Sequence, residues 1–173
     1  MRILVVYASH CGSTRAIAER IGAALDRSGI EATVASAQEA PDPVGFDACV
    51  VGSAVHGGHW LLAASSFVRQ HASTLARQPV WLFSSGPVGD RAAAAPQPDP
   101  EEIAGFRRAI GPREHRVFGG AFDRATADLS DLGLVERTIV KRFLPDGDWR
   151  DWPAIDAWTA DIAHALERTP APA

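Results

Sequence analysis

The stretch that decides the fold is "VVYASHCGSTRAIAERI", residues 5–21. Its beginning continues an apolar, β-branched run over residues 2–7, which predicts a buried strand of a parallel sheet. Its end predicts a helix over residues 13–28, because Ile17, Ile21 and Leu25 recur at every fourth position. A turn of small and hydroxyl-bearing residues joins the two. Such a turn either caps the helix or binds an anion at the helix N-terminus.

The rest of the chain alternates in the same way. Strands are predicted over 30–37, 47–53, 80–85 and 115–122, and helices over 61–75, 100–110, 128–144 and 151–167. Alternating strands and helices predict an α/β fold, in which helices cover both faces of an open parallel sheet. We expect one domain over residues 1–168, with an insert at about 123–150 and a disordered tail at 169–173.

The composition is that of an ordinary globular domain. The 173 residues are 46% apolar and 22% charged, with a net charge of −4, which gives no reason to expect a nucleic-acid partner. Cys11 and Cys49 form no CxxC pair, so reduced thiols in an intracellular protein are the expectation. The sequence starts directly with a strand, and no apolar run reaches the ~20 residues of a membrane span. We therefore expect a cytoplasmic protein.

Ligands of open parallel sheets bind at the carboxyl ends of the strands, which directs attention to the loops 9–14, 53–60 and 84–90. The first loop lacks the lysine of a nucleoside-triphosphate loop and is not G-x-G-x-x-G. Its donors are backbone amides and the hydroxyls of Ser9, Ser13 and Thr14. Neutral donors at the positive end of a helix suit a phosphate monoester.

The second and third loops predict a slot for a planar ring beside the phosphate. Gly57-Gly58 can take positive φ and lets the backbone come close to a flat ligand. His56 and His59 are too few side chains for a metal site, so we expect none. The predicted cofactor-binding residues are Ser9, His10, Cys11, Gly12, Ser13, Thr14, Ser53, Ala54, Val55, His56, Gly57, Gly58, His59, Trp60, Ser84, Ser85, Gly86, Pro87, Val88 and Gly89.

These three loops carry a resemblance to a known family. "VVYASHCGST", "CVVGSAVHGGHW" and "LFSSGPVGD" resemble the phosphate loop and the two ring-flanking loops of flavodoxins. The chain resembles more closely the flavodoxin-like protoporphyrinogen dehydrogenases that use menaquinone, which also show a helix like "FVRQHA" and a "GGA" strand. The resemblance implies a five-stranded sheet in the order 2-1-3-4-5, FMN as cofactor, and no catalytic acid or base.

Three functions are compatible with this resemblance. The first is a quinone-linked oxidoreductase that acts on a small-molecule donor such as a porphyrinogen. The second is a flavodoxin-type carrier that passes electrons to a redox protein, and the third is a flavin-free binding module. A net charge of −4 is modest, whereas carriers are usually strongly acidic, and this favours an enzyme.

The predicted helix over residues 128–144 lies outside the strand–helix alternation. Its apolar positions make one face, and Arg137, Lys141 and Arg142 lie largely on the other. It either packs on its own domain or brings a hydrophobic acceptor to the cofactor. Its basic residues could add peripheral contact with an anionic membrane surface, at about 1 kcal/mol per cationic residue.

Overall fold

A computed structural model describes residues 1–86, 88–89, 98–125, 133, 137–138, 142 and 145–168. The strands are β1 (Arg2–Ala8), β2 (Glu31–Ser36), β3 (Ala48–His56), β4 (His59–Trp60), β5 (Val80–Ser85), β6 (Glu114–Phe118), β7 (Ala121–Phe122) and β8 (Gly147–Asp148). The helices are α1 (Ser13–Arg27), α2 (Leu62–Gln70), α3 (Ala72–Leu75), α4 (Glu101–Ile110) and α5 (Trp152–Glu167), with a 3₁₀ turn at Pro43–Gly45.

Five parallel strands form the sheet, in the spatial order β2-β1-β3-β5-β6. Because β4 only pairs with β3 at the margin, this is the predicted order 2-1-3-4-5, and the predicted fold is confirmed. The order reverses between β1 and β3, since β2 lies on the other side of β1. That switch point is where a ligand cleft is expected in an open α/β sheet.

Side-chain alternation along the strands builds two cores. On β1, Ile3 and Val5 face the core under α1 and α5, while Leu4 and Val6 face the core under α2, α3 and α4. All four side chains are fully buried, which is why the run reads as continuously apolar. The sheet is thus covered on both faces, as the alternation of strands and helices predicted.

The helix α5 follows its prediction closely. Asp151 caps it by accepting a hydrogen bond from the Ala154 amide at 3.0 Å. The sequence also predicts an apolar stripe on this helix, and the structure buries it, each residue being at most 1% exposed: Ile155, Trp158, Ile162 and Leu166. The Trp158 indole contacts the rings of Phe83 and Phe118. The stripe joins α5 to the core it shares with α1.

One predicted strand is longer than expected, and one predicted helix is divided into two. The strand 47–53 continues to His56 and turns back at Gly57-Gly58 into β4, so the second loop is a hairpin. The helix 61–75 is divided at His71 into α2 and α3. The sequence predicts that Leu62 faces inward with Phe67 and Val68, and this prediction is wrong. Leu62 lies opposite the buried face of α2 and is 76% exposed.

The last predicted strand, 115–122, is interrupted at Gly119. At Gly119 the chain passes very close to the backbone of Trp149, since a Cβ at Gly119 would lie 2.0 Å from the Trp149 carbonyl oxygen. β6 therefore ends at Phe118, and β7 pairs with β8 instead in a separate antiparallel ribbon. The Trp149 amide donates to the Gly120 carbonyl at 3.0 Å and holds the ribbon against the end of β6.

Some predictions concern residues that are only partly described. Within the predicted helix 128–144 the described residues Arg137 and Thr138 are helical, and the Arg137 amide donates to the Gly133 carbonyl at 2.9 Å. The remainder of that segment, apart from Gly133 and Arg142, and the tail 169–173 lie outside the described residues. In the described part of the chain, no helix is both long and apolar enough to cross a bilayer.

Candidate functional site

A cleft opens at the carboxyl edge of the sheet, at the switch point between β1 and β3. Its enclosed volume is about 120 Å³, and further space beside it is open to solvent. The cleft is lined by Ser9, His10, Cys11, Ser13, Thr14, Ala54, Val55, His56, Leu61, Ser85, Gly86, Val88, Gly120, Ala121 and Phe122.

One end of the cleft is the N-terminus of α1. Gly12 takes φ +81° there, and no side chain caps the first turn of the helix. Thr14 is only 1% exposed and lines the cleft from that first turn. The Ser13 hydroxyl accepts a hydrogen bond from the Ala121 amide at 2.9 Å, which leaves its own proton to donate. This end offers amides and hydroxyls under the positive end of a helix dipole.

The other end of the cleft is lined by the ends of two neighbouring strands. Val55 and His56 belong to the end of β3, and Gly86 and Val88 follow β5. Val55 and Gly86 lie side by side, because a Cβ at Gly86 would lie only 3.1 Å from the Cβ of Val55. A side chain at position 86 would therefore crowd Val55.

Ser85 supplies the strongest local indication that a ligand belongs here. It is 2% exposed and lines the cleft, and its hydroxyl has no hydrogen-bond partner among the described residues. A buried hydroxyl without a partner costs about 1–3 kcal/mol, and a ligand with polar ring atoms would remove that cost. The cleft therefore fits FMN at two points, namely an uncapped helix N-terminus that suits an anion and a buried hydroxyl without a partner among the described residues.

The structure gives several predicted site residues internal roles instead. Ser53 is fully buried, and its hydroxyl accepts from the Leu61 amide at 2.9 Å, away from the cleft. Trp60 packs edge-on against Phe106 at 5.3 Å and donates its indole N–H to Ser84 at 2.8 Å. These three residues belong to the core on the far side of the hairpin. We do not retain them as ring contacts.

The remaining predicted residues lie around the margin. Gly57 and Gly58 form the exposed tip of the hairpin with φ +60° and +87°, as their sequence predicted. His59 turns away from the cleft towards Glu102, at 3.1 Å. Gly89 lies near Pro145, and Pro87 lies outside the described residues. That the residues lining the cleft bind the cofactor stays a prediction.

Sequence reasoning missed a buried polar network next to the cleft. The Ser84 hydroxyl lies 2.8 Å from Nε2 of His115, and Nδ1 of His115 lies 2.8 Å from Asp99. Asp99 is paired in turn with Arg107 at 2.6 Å. These residues are far apart in the sequence and follow no motif. The network depends on the pairing of β5 with β6, which no local pattern reveals.

In this network, burial and hydrogen bonding shift the pKa of the same group in opposite directions. Burial lowers the pKa of His115 below its ordinary value, although the Asp99 carboxylate opposes the shift. Burial alone would raise the pKa of Asp99, but hydrogen bonds from Arg107 and His115 bring it below the ordinary value. An ionised carboxylate can only accept, so Nδ1 of His115 carries a proton and donates it to Asp99. Because its pKa is lowered, His115 is a neutral imidazole at neutral pH, and its Nε2 accepts the proton of the Ser84 hydroxyl.

The two cysteines differ in their surroundings. Cys11 lines the cleft at the phosphate end and is partly exposed. Cys49 is buried in β3, and burial raises the pKa of its thiol to about 12. The Cys49 thiol is therefore protonated at neutral pH, as expected of an inert core residue.

Comparisons with known proteins agree with this architecture. Residues 4–144 match the model of the flavodoxin domain, and the chain belongs to that family. It is 31% identical to the protoporphyrinogen IX dehydrogenase [quinone] of Escherichia coli K12, over 97% of this chain and 98% of that protein. Family and fold together indicate FMN as the cofactor.

Solved structures with the same fold share little sequence with the chain. A flavodoxin from the domain Archaea superposes with a TM-score of 0.65 at 20% identity, over 97% of this chain and all of that one. The rubredoxin–oxygen oxidoreductase of Desulfovibrio gigas gives a TM-score of 0.61 at 13% identity, over 96% of this chain and 36% of that one. These likenesses establish the fold alone.

Proposed function

We propose that this chain is an FMN-dependent oxidoreductase that passes electrons from a porphyrinogen to a quinone. The observation that carries the redox assignment is the cleft, which combines an uncapped helix N-terminus with a buried hydroxyl that has no partner among the described residues. The substrate assignment is supported by similarity along nearly the full length of a protein named for that reaction.

Different residues of the cleft bind different parts of FMN in this proposal. Amides of the first turn of α1, with the hydroxyls of Ser9 and Thr14, hold the phosphate without a cationic side chain. Val55 and Gly86 would line the site of the ring from one side, and the Ser85 hydroxyl would be available to a polar atom of the ring. When bound, FMN supplies the electron transfer, and the protein controls its orientation and access to water. Hydrogen removed from the porphyrinogen ends on the quinone as a quinol.

A flavodoxin-type electron carrier is the second candidate. It is supported by the archaeal flavodoxin, whose entire length the fold covers. A carrier needs the same cofactor but no small-molecule substrate, so the two functions differ in what oxidises and reduces the protein. A flavin-free module of the same fold is the third possibility, and it is the simplest to test.

An absorbance spectrum and an anaerobic turnover assay separate these functions. We expect the purified protein, supplied with FMN, to show a flavin spectrum that bleaches when protoporphyrinogen is added without oxygen. The colour should return on addition of a menaquinone analogue. Bleaching only by a reductase protein, with no response to porphyrinogen or quinone, would favour the carrier. Failure to bind FMN at all would reject both.

A further inference from the structure

A hairpin forms one wall of the cleft, and it is fastened from the outside. We name residues 55–60 the cleft hairpin; its strands pair Val55 with Trp60 and His56 with His59. Val55 and His56 line the cleft, whereas Trp60 and His59 face α4. Because the two strands are paired, contacts that hold β4 in place also hold Val55 and His56 in the wall of the cleft.

The fastening is concentrated on the N-terminus of α4. Glu102 accepts the Trp60 amide at 3.0 Å through one carboxylate oxygen and lies 3.1 Å from His59 Nδ1 through the other. The Glu101 amide donates to the carbonyl of Gly58 at 3.1 Å. Every residue of the hairpin from Gly58 to Trp60 is thus bound to the first turn of one helix.

Glu102 is suited to this task by burial and charge. Its side chain is 12% exposed, compared with 77% for Glu101 beside it. Burial alone would raise the pKa of Glu102, but the Trp60 amide and His59 hold it below its ordinary value. The carboxylate is therefore ionised at neutral pH, and it lies where the dipole of α4 favours negative charge.

We propose that Glu102 is a positioning residue that sets the orientation of the cleft hairpin, and with it the binding and the potential of the cofactor. The inference rests on the proposed FMN chemistry of the same cleft. Glu102 touches neither the cleft nor a reacting atom. It acts through the Trp60 backbone, because a hairpin freed from α4 would let Val55 and His56 move relative to Gly86.

The test compares three variants by titration of apo-protein with FMN and by the midpoint potential of bound FMN. Glu102→Ala leaves the Trp60 amide without an acceptor, so we expect about tenfold weaker FMN binding and a shifted midpoint potential. Glu102→Gln keeps an oxygen for that amide and should retain most of the affinity. Glu101→Ala is the matched control, since its exposed side chain lies 3.6 Å from His59, and it should behave as wild type.

A second measurement separates positioning from general stability. In apo-protein, the Trp60 amide should exchange with deuterium faster in Glu102→Ala, while the amides of β1 keep their protection. A loss of stability alone would raise exchange throughout and leave the potential of bound FMN unchanged, which would overturn the inference. If Glu102→Ala does not fold, Glu102→Asp, which is shorter by one methylene, should still weaken FMN binding about threefold.

Two further outcomes distinguish this inference from the function on which it rests. Wild-type affinity and potential in Glu102→Ala, or in Glu102→Asp where the alanine variant does not fold, would overturn the positioning role and leave the FMN function intact. A wild-type protein that binds no FMN would overturn the function, and the inference with it.

Discussion

At the scale of single residues, we expect the phosphate at the end of the cleft that hydroxyls and amides of the α1 N-terminus line. No lysine or arginine is among the residues that line the cleft in the described part of the chain. Each hydrogen bond to a charged phosphate is worth about 1.5–3 kcal/mol. The loss of one hydroxyl should therefore weaken the binding of FMN and not that of a flavin without phosphate.

We expect Thr14→Ala and Ser9→Ala each to weaken FMN binding about tenfold and to leave riboflavin binding nearly unchanged. Fluorescence titration of apo-protein with both flavins measures the difference. Ser28→Ala, at the far end of α1, is the matched control and should bind FMN like wild type. Equal losses for FMN and riboflavin would show that the phosphate lies elsewhere.

The tip of the cleft hairpin leads to a second prediction. The Gly58 carbonyl already accepts the Glu101 amide, so the Gly57 carbonyl is the one able to turn towards a reduced ring. Gly57 has φ +60°, which a β-branched side chain strains. We expect Gly57→Val to shift the midpoint potential of bound FMN with only a small change in phosphate affinity. An unchanged potential would contradict the placement of this turn at the ring.

At the scale of elements, α5 is stabilised both by a cap at its N-terminus and by a buried apolar face. Asp151 supplies the cap, and Pro153 stands within the first turn, where its missing amide costs nothing. A pair of hydrogen bonds at 2.8 and 2.6 Å joins Arg20 of α1 to Asp156 of α5 across the helix pair. That pair is well exposed, so the buried stripe contributes most of the stability.

We expect Asp151→Ala to lower the free energy of unfolding by about 1 kcal/mol, because an N-cap side chain satisfies an otherwise unbonded amide. Urea denaturation at neutral pH measures the change. Asp161→Ala, on an exposed position within α5, should cause no comparable loss. If both variants lost the same amount, the helix would be stabilised by charge and not by the cap.

At the scale of the whole molecule, stability should respond to pH through buried and paired groups. Burial lowers the pKa of His115 from its ordinary 6.5, so the folded state binds its proton less readily than the unfolded chain. The free energy of unfolding should therefore fall as pH drops below about 6.5. Hydrogen-bonded carboxylates such as Asp99 and Glu102 have lowered pKa values, and their contribution is lost at still lower pH.

The His115→Gln variant tests this assignment, because its amide cannot titrate. We expect urea denaturation of the wild type to show a lower free energy of unfolding at pH 5 than at pH 7.5. The decrease should be smaller in the variant, which should start from a lower value at pH 7.5. The same decrease in both proteins would assign the pH dependence to other groups.

The sequence by itself determined the strand–helix alternation, the glycine turn before α1 and the two-faced burial of β1, whereas the structure showed that no side chain caps that turn. Those features are local, since side-chain periodicity and turn chemistry act within a few residues. It also predicted positive φ at Gly57 and Gly58 from the glycines alone. An anion site at α1 could be predicted for the same reason, because the turn, its hydroxyls and the helix are contiguous in the sequence.

Only the tertiary structure decided which side of the hairpin each residue faces. His59 and Trp60 follow the glycines directly and were predicted to face the ring, yet Glu102 and Ser84 draw them towards α4 and β5. The unpartnered hydroxyl of Ser85 and the His115–Asp99 pair were also unreadable from the sequence. These contacts join residues 16 to 43 positions apart. The packing of α4 against β4 and the pairing of β5 with β6 bring them together, and no local pattern reveals either.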